Sequence, residues 1–464
     1  MASPAPLPVD PPASLTATLG NLGPGLLVAA TVVGAGELIA TTKTGAQVGI
    51  SFLWLIIVGC FIKVFVQVEL GRYTISAGET TLRALDRIPG PRFRASWVVW
   101  LWLILMPASF VIMGGVIGGV AQALALALPV RGDYVAALAG PGVVTTATFD
   151  DRFWSGIIAF GTAVLLSVGR YRLIERAAIG LVGLFTLITV VNVAMLQASP
   201  YRLSAGEIIS GLSFQLPSLP GAWFTALATF GIIGVGAVDL IAYPYWCLEK
   251  GYASYAGPND GSAAWVSRAR GWIRVMRVDA FFCVAVCIVA TTAFYLIGAA
   301  VLHREGLDPD GTRMISTLIS AYQPVFGPYA KWLLLTGAIA VLYSSFLIAT
   351  AAAARLLSDG LIILGVLNGD DARVRERSVT LLSFGLPLLA ALIFLTGWNP
   401  VLLILIGGMA QTILLPVVGF ASVYLRFRLT DARLAPGRLW DGALILSCVG
   451  FVVIGGFGVF RFLL

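Results

Sequence analysis

Two short stretches set ionisable side chains inside apolar sequence. In TVVGAGELIATTKTG (31–45), Glu37 follows Gly34, Ala35 and Gly36 and precedes Thr41, Thr42 and Lys43. In FGIIGVGAVDLIAYPYWCLEKG (230–251), Asp239 follows Gly234 and Gly236 and precedes Tyr243, Pro244, Tyr245 and Trp246. A carboxylate within a membrane is costly unless it lines water or meets a partner. Glycine permits unwinding and proline removes a helical hydrogen bond, so the freed backbone groups must be satisfied in a cavity or by the protein itself. The chemistry implied is binding, with Gly34, Gly36 and Pro244 as helix-break positions. Glu37, Asp239, backbone carbonyls and the hydroxyls of Thr41, Thr42, Tyr243 or Ser344 would make a hard oxygen site suited to Mg²⁺ or Mn²⁺. The same breaks could instead offer N–H groups to the carboxylate of an organic solute, with Tyr243, Tyr245 and Trp246 around its amine or apolar part.

The elements that position these groups must be membrane spans. The 464 residues are 58% hydrophobic and 11% charged, with a mean hydropathy of +0.92; a soluble domain carries about 25% charge. Windows long enough to cross a bilayer fall near 24–44, 50–70, 97–128, 153–169, 177–197, 223–248, 278–302, 331–357, 379–397, 400–426 and 440–462, which makes an all-α membrane protein of eleven helices. Alternate connections hold 21 basic residues on one side and seven on the other, leaving Lys43 and Lys63 within spans. That bias predicts a plasma-membrane protein with its N-terminus cytoplasmic and its C-terminus outside. The proline-rich residues 1–20, without a basic leader region, read as a disordered cytosolic tail with a brief interfacial turn at Ser14–Leu19.

The arginines lie beside span ends, where anionic lipid attracts them, so membrane lipid rather than nucleic acid is the expected partner. No phosphate-binding G-x-x-x-x-G-K-[ST] loop and no C-x-x-C pair occurs, and neither a cofactor nor enzymatic activity is expected. The five cysteines read as small buried hydrophobes.

The breaks fall in the first and sixth spans, five helices apart, as in an inverted-repeat transporter with a site near the midplane. This divides the chain into repeats over 21–200 and 201–427, followed by an inner loop and eleventh helix over 428–464, with a monomer as the expected functional unit. Ser344 and Gln411 are further candidates for lining the cavity. Lys43, Lys63, Glu69 and Trp246 are candidates for gating or coupling.

Gly23-Pro24-Gly25, TGAQVG (44–49), VIGG (116–119), Ser344-Ser345 and Leu415-Pro416 within GGMAQTILLPVVG occur in an order that resembles the Nramp transporters. The resemblance spans nearly the whole chain and implies a LeuT-like fold and divalent-metal transport, often coupled to protons. The family's site residues do not carry over. Where it has Asp-Pro-Gly-Asn this sequence has Gly34, Ala35, Gly36 and Glu37, and where it has Met-Pro-His this sequence has Tyr243, Pro244 and Tyr245. The positions of its third-helix carboxylates match Ile112 and Gly115.

The leading expectation is therefore a secondary transporter of a divalent cation by alternating access, with Glu37 and Asp239 as ligands. A carrier of an amino acid or amine, and a transport-inactive receptor or scaffold, are the alternatives. Proton coupling through Glu37 or Asp239 and uncoupled transport are both open. The charge bias makes one direct prediction: alkaline phosphatase fused after Leu464 is active in intact cells, and an inactive fusion at equal expression reverses the orientation.

Overall fold

A computed structural model describes residues 8–139, 148–168, 172–215, 220–369 and 371–463. Ten helices within these residues are long and apolar enough to cross a membrane, and a bent pair at the start supplies an eleventh span. The pair is α1 (Pro24–Val32) and α2 (Thr42–Val48), joined by a π-helical stretch over Val33–Thr41. Next come α3 (Leu53–Ala77), α4 (Trp97–Ala127), α5 (Phe149–Val168) and α6 (Arg172–Leu196). The sixth span is split into α7 (Pro220–Ile232) and α8 (Ala237–Lys250). The remainder are α9 (Ala263–Ile297), α10 (Ala330–Ile363), α11 (Ala372–Leu395), α12 (Pro400–Tyr424) and α13 (Arg438–Leu463).

Both breaks differ in form from the sequence expectation. The first span bends by 41° but stays helical, because a wider turn keeps the backbone paired where an open one would have to be solvated. Thr41 Oγ1 donates to the Gly36 carbonyl at 2.9 Å and Thr42 Oγ1 to the Glu37 carbonyl at 3.3 Å, which closes the widened turn from the side. The sixth span does open, but at residues 233–236. Gly234 takes φ +63, a left-handed conformation that glycine adopts without steric cost. Pro244, expected as a break, instead lies inside α8; the flexible glycines have already ended the preceding helix, so the proline costs α8 one internal bond and no more.

The split sixth span forms the centre. Of the sixth span's apolar window 83% is buried, against 22% for α13, which lies at the periphery. α12 packs on α4 and α7, and α10 on α4. Gly231 of α7 and Gly408 of α12 allow near backbone contact: a Cβ on Gly231 would fall 2.1 Å from the Gly408 carbonyl, and one on Gly408 would fall 2.4 Å from that of Ala228. Small residues facing one another in this way bring membrane helices together without a hydrophobic driving force.

Residues 8–20, read from their prolines as a free tail, are docked. The Val9 N–H donates to the Tyr255 carbonyl and the Val9 carbonyl accepts from Trp272 Nε1, both at 2.9 Å. Ser14 caps a short helix over Leu15–Gly20. Proline disfavours helix and sheet but not an extended strap whose few free donors find carbonyls.

Substituting Gly231→Leu should drive α7 and α12 apart and cost about 1–3 kcal/mol or more. The expected result is a lowered melting temperature of the detergent-purified protein, whereas an unchanged melt would show that the seam tolerates separation.

Candidate functional site

A cavity of about 70 Å³ lies where the bent first span and the split sixth span meet α4, α10 and α12. Gly36 and Thr31 reach it from the first span, Asp239 from α8, Ser109 and Met113 from α4, Ser345 from α10 and Gln411 from α12. Asp239 stands in the first turn of α8, where the helix dipole favours negative charge, and its carboxylate faces the Gly236 N–H. Gln411 Oε1 accepts from the Val238 N–H at 3.3 Å, so α12 helps to cap that same helix end. The remaining wall is largely apolar, with Ile112, Val116 and Phe346 among its residues.

Glu37 is fully buried and is not among the residues lining this cavity. Thr291 of α9 donates to Glu37 Oε1 at 2.8 Å, while Oε2 has no hydrogen-bond partner. Lys63 of α3, also fully buried, donates to the carbonyls of Phe230 at 2.6 Å and Ile233 at 2.7 Å. Cys60, one turn before Lys63, donates from Sγ to the same Thr291 hydroxyl at 3.7 Å, which ties this part of α3 to Glu37. The expected pair of carboxylates thus divides: Asp239 joins the cavity, and Glu37 belongs to a neighbouring charged cluster. Among the described residues no group of three or more His, Cys, Asp and Glu side chains is placed to hold a metal ion.

Several other expected site residues hold the fold together. Tyr243 donates to Asp279 Oδ2 at 3.0 Å and to the Met276 carbonyl at 3.1 Å, and Asp279 also accepts from the N–H groups of Gly23 and Gly25 at the start of α1. Tyr245 donates to Asp359 at 2.6 Å, as does Thr80. Ser344 donates to the Val341 carbonyl at 2.8 Å, and it is Ser345, one residue on, that lines the cavity. Thr41 is spent on the Gly36 carbonyl. Glu69 pairs with Arg72 at 3.0 Å and accepts from Trp440 Nε1 at 2.7 Å, which ties α3 to α13. Gly34 serves close packing, since a Cβ there would fall 2.0 Å from Ser345 Oγ. The side chain of Ala35 lies outside the described residues.

Two sets of contacts flank the cavity. Towards the arginine-rich face, Tyr245 and Thr80 converge on Asp359, Arg355 pairs with Glu249 and its guanidinium lies 4.8 Å from the Trp246 ring. Towards the opposite face, buried Lys43 bonds Asp308 at 2.7 Å and the Pro309 carbonyl at 3.3 Å, and Gln47 adds a bond to Asp308 at 3.0 Å. Beside these contacts α2 and the end of α9 nearly touch: a Cβ on Gly45 would lie 2.4 Å from the Tyr295 carbonyl, and one on Gly298 would lie 2.2 Å from that of Thr42. Met113, Ser109 and Ser345 were missed in the sequence because each is an ordinary residue of an apolar helix. Only their position opposite the breaks marks them.

A family model described as natural resistance-associated macrophage protein-like (Nramp) matches residues 25–454. An uncharacterized protein of Pasteurella multocida is 25% identical over 321 residues, covering 68% of this chain and 64% of that protein, so the match spans less than two thirds of the relative. The divalent metal cation transporter MntH of Mycobacterium leprae is 24% identical over 386 residues, 79% of this chain and 80% of that one. Among solved structures, the Eremococcus coleocola manganese transporter in complex with an aromatic bis-isothiourea substituted compound matches with a TM-score of 0.64 at 15% identity, covering 98% of this chain and 89% of that one. MhsT in complex with L-phenylalanine matches at 0.59 and 16%, covering 98% and 99%. The two structural matches establish a shared fold.

If Lys43 holds the face opposite the arginines shut, Lys43→Ala should open it. With Val116→Cys placed in a background whose native cysteines are changed to alanine, an impermeant maleimide added on the Lys43 side should label faster when Lys43→Ala is present. An unchanged rate would remove the latch role.

Proposed function

The chain belongs to the Nramp-like family, and from that premise we propose that it is a secondary transporter moving a divalent metal cation by alternating access through the cavity beside Asp239. The observation that carries this reading is one carboxylate among neutral donors at the meeting point of a bent span and a split one. In this reading Asp239 supplies the charge, Gln411 and the hydroxyls of Ser109 and Ser345 supply oxygens, and waters complete the shell, as befits a hard cation. Met113 adds a thioether, a softer donor that favours Mn²⁺ over Mg²⁺. The relatives named as divalent metal cation transporters support the same cargo class.

The cavity also weighs against an organic cargo. Its 70 Å³ admits a partly hydrated ion but falls well below the roughly 300 Å³ and more usual for small-molecule pockets. Alternating access would release the Lys43–Asp308 latch in one state and the Tyr245–Asp359 and Arg355–Glu249 contacts in the other. With the arginine-rich face cytoplasmic, the first of these is the outer gate. The third-span wall offers Ile112 where the family's proton route has a carboxylate, which supports transport without that route.

The test is metal flux into proteoliposomes. Asp239→Asn should lower Mn²⁺ and Mg²⁺ uptake by about tenfold or more, and Met113→Leu should depress Mn²⁺ more than Mg²⁺. Undiminished flux in a folded Asp239→Asn protein would displace the site, and an equal effect on both metals would remove the thioether from the ligand set.

A further inference from the structure

The charged cluster behind the cavity has a composition that metal binding does not use. Where the sixth span opens, the carbonyls of Phe230 and Ile233 at the end of α7 lack their usual helical donors. A helix C-terminus of this kind carries partial negative charge, and in split-helix transporters such carbonyls commonly hold a co-transported cation. The Lys63 ammonium occupies that position, 2.6 and 2.7 Å from the two oxygens and 5.0 Å from the centre of the Phe230 ring. Glu37 is joined to the same stretch of α3 as Lys63 through Thr291, which donates to Glu37 Oε1 at 2.8 Å and accepts from Cys60 Sγ at 3.7 Å, and its Oε2 is buried without a hydrogen-bond partner. One turn along α3, Gln67 is also fully buried with neither amide atom bonded.

We propose that this cradle is a monovalent-cation site filled by the protein's own side chain, so that Lys63 takes the place of Na⁺ and makes transport independent of it. The ammonium and Na⁺ are alike in charge and in their preference for carbonyl and carboxylate oxygen. The lysine differs in being tethered to α3 and therefore always bound. Its removal leaves two bare carbonyls and one uncompensated carboxylate in a water-poor interior, which is the penalty a small free cation relieves. Lys63 acts here as a positioning residue: it holds the end of α7 and sets the charge beside Asp239 without lining the cargo cavity.

The experiment compares wild type, Lys63→Ala and Lys63→Gln, purified in choline chloride and then exposed to NaCl, methylammonium chloride or more choline. Wild-type melting and metal uptake should not change among the three salts. Lys63→Ala should melt lower in choline and be restored, saturably, by Na⁺ or methylammonium, with metal uptake recovering about tenfold in parallel. Lys63→Gln, which keeps one polar contact, serves if the alanine variant does not fold and should show the same cation response. Adding Glu37→Gln should abolish the response, which separates binding at the cradle from a general salt effect. Identical melting of both Lys63 variants in all salts, or a wild type that requires Na⁺, would overturn the proposal. Because melting is read without cargo, these outcomes are independent of whether the cargo is a divalent metal.

Discussion

The structure turns on one hydrogen bond that is not made. In an unbroken sixth span the Phe230 carbonyl would accept from the Gly234 N–H. The left-handed turn at Gly234 severs that pair deep in the protein, where each freed group costs several kcal/mol if left bare. Lys63 answers the acceptor. Its ammonium is thus committed to repairing the backbone, while Glu37 is held by Thr291 and does not line the cavity, so Asp239 is the carboxylate in its wall. In the proposed reading, a site with a single formal charge suits weak, reversible binding, since cargo taken up must also be released.

The neighbouring elements are arranged so as to keep that opening intact. Glycines at 231 and 408 bring α7 and α12 into near backbone contact, which sets Gln411 over the first turn of α8. The first span bends instead of opening, so its carbonyls remain internally bonded and its contribution to the cavity is small: Thr31, Val32 and the backbone at Gly36. Polar contacts at either face differ in kind. A single buried lysine holds one side, while an aspartate shared by two hydroxyls and a separate arginine pair hold the other.

Much of this was legible in the sequence. Span number, the two interrupted helices and the family are read from long apolar windows, from Gly34, Gly36, Gly234 and Gly236, and from ordered short motifs, all of which are properties of composition and spacing. Direction was not legible. Glu37 and Asp239 read alike as intramembrane carboxylates, but their side depends on how far each turn is wound, and a π-helical turn rotates the residues beyond it relative to an α-helical one. Ser344 and Ser345 are neighbours in a regular α-helix, where one residue turns the side chain by about 100°, so only one of the two lines the cavity. Pro244 was a stronger textual signal than Gly234, yet a left-handed φ ends a helix outright while a proline in an otherwise sound helix does not. Tyr243 and Tyr245 looked like an aromatic enclosure because hydroxyl partners such as Asp279 and Asp359, 36 and 114 residues further on, cannot be foreseen from local sequence.

Asp279 has a mechanical implication. Its carboxylate bonds the first N–H groups of α1 and the Tyr243 hydroxyl of α8, and the docked strap ahead of α1 is bonded to Tyr255 and to Trp272 of α9. The two half-helices that border the cavity on the arginine-rich side are therefore pinned to one pivot on α9. A displacement of either one that keeps these bonds must carry the other with it.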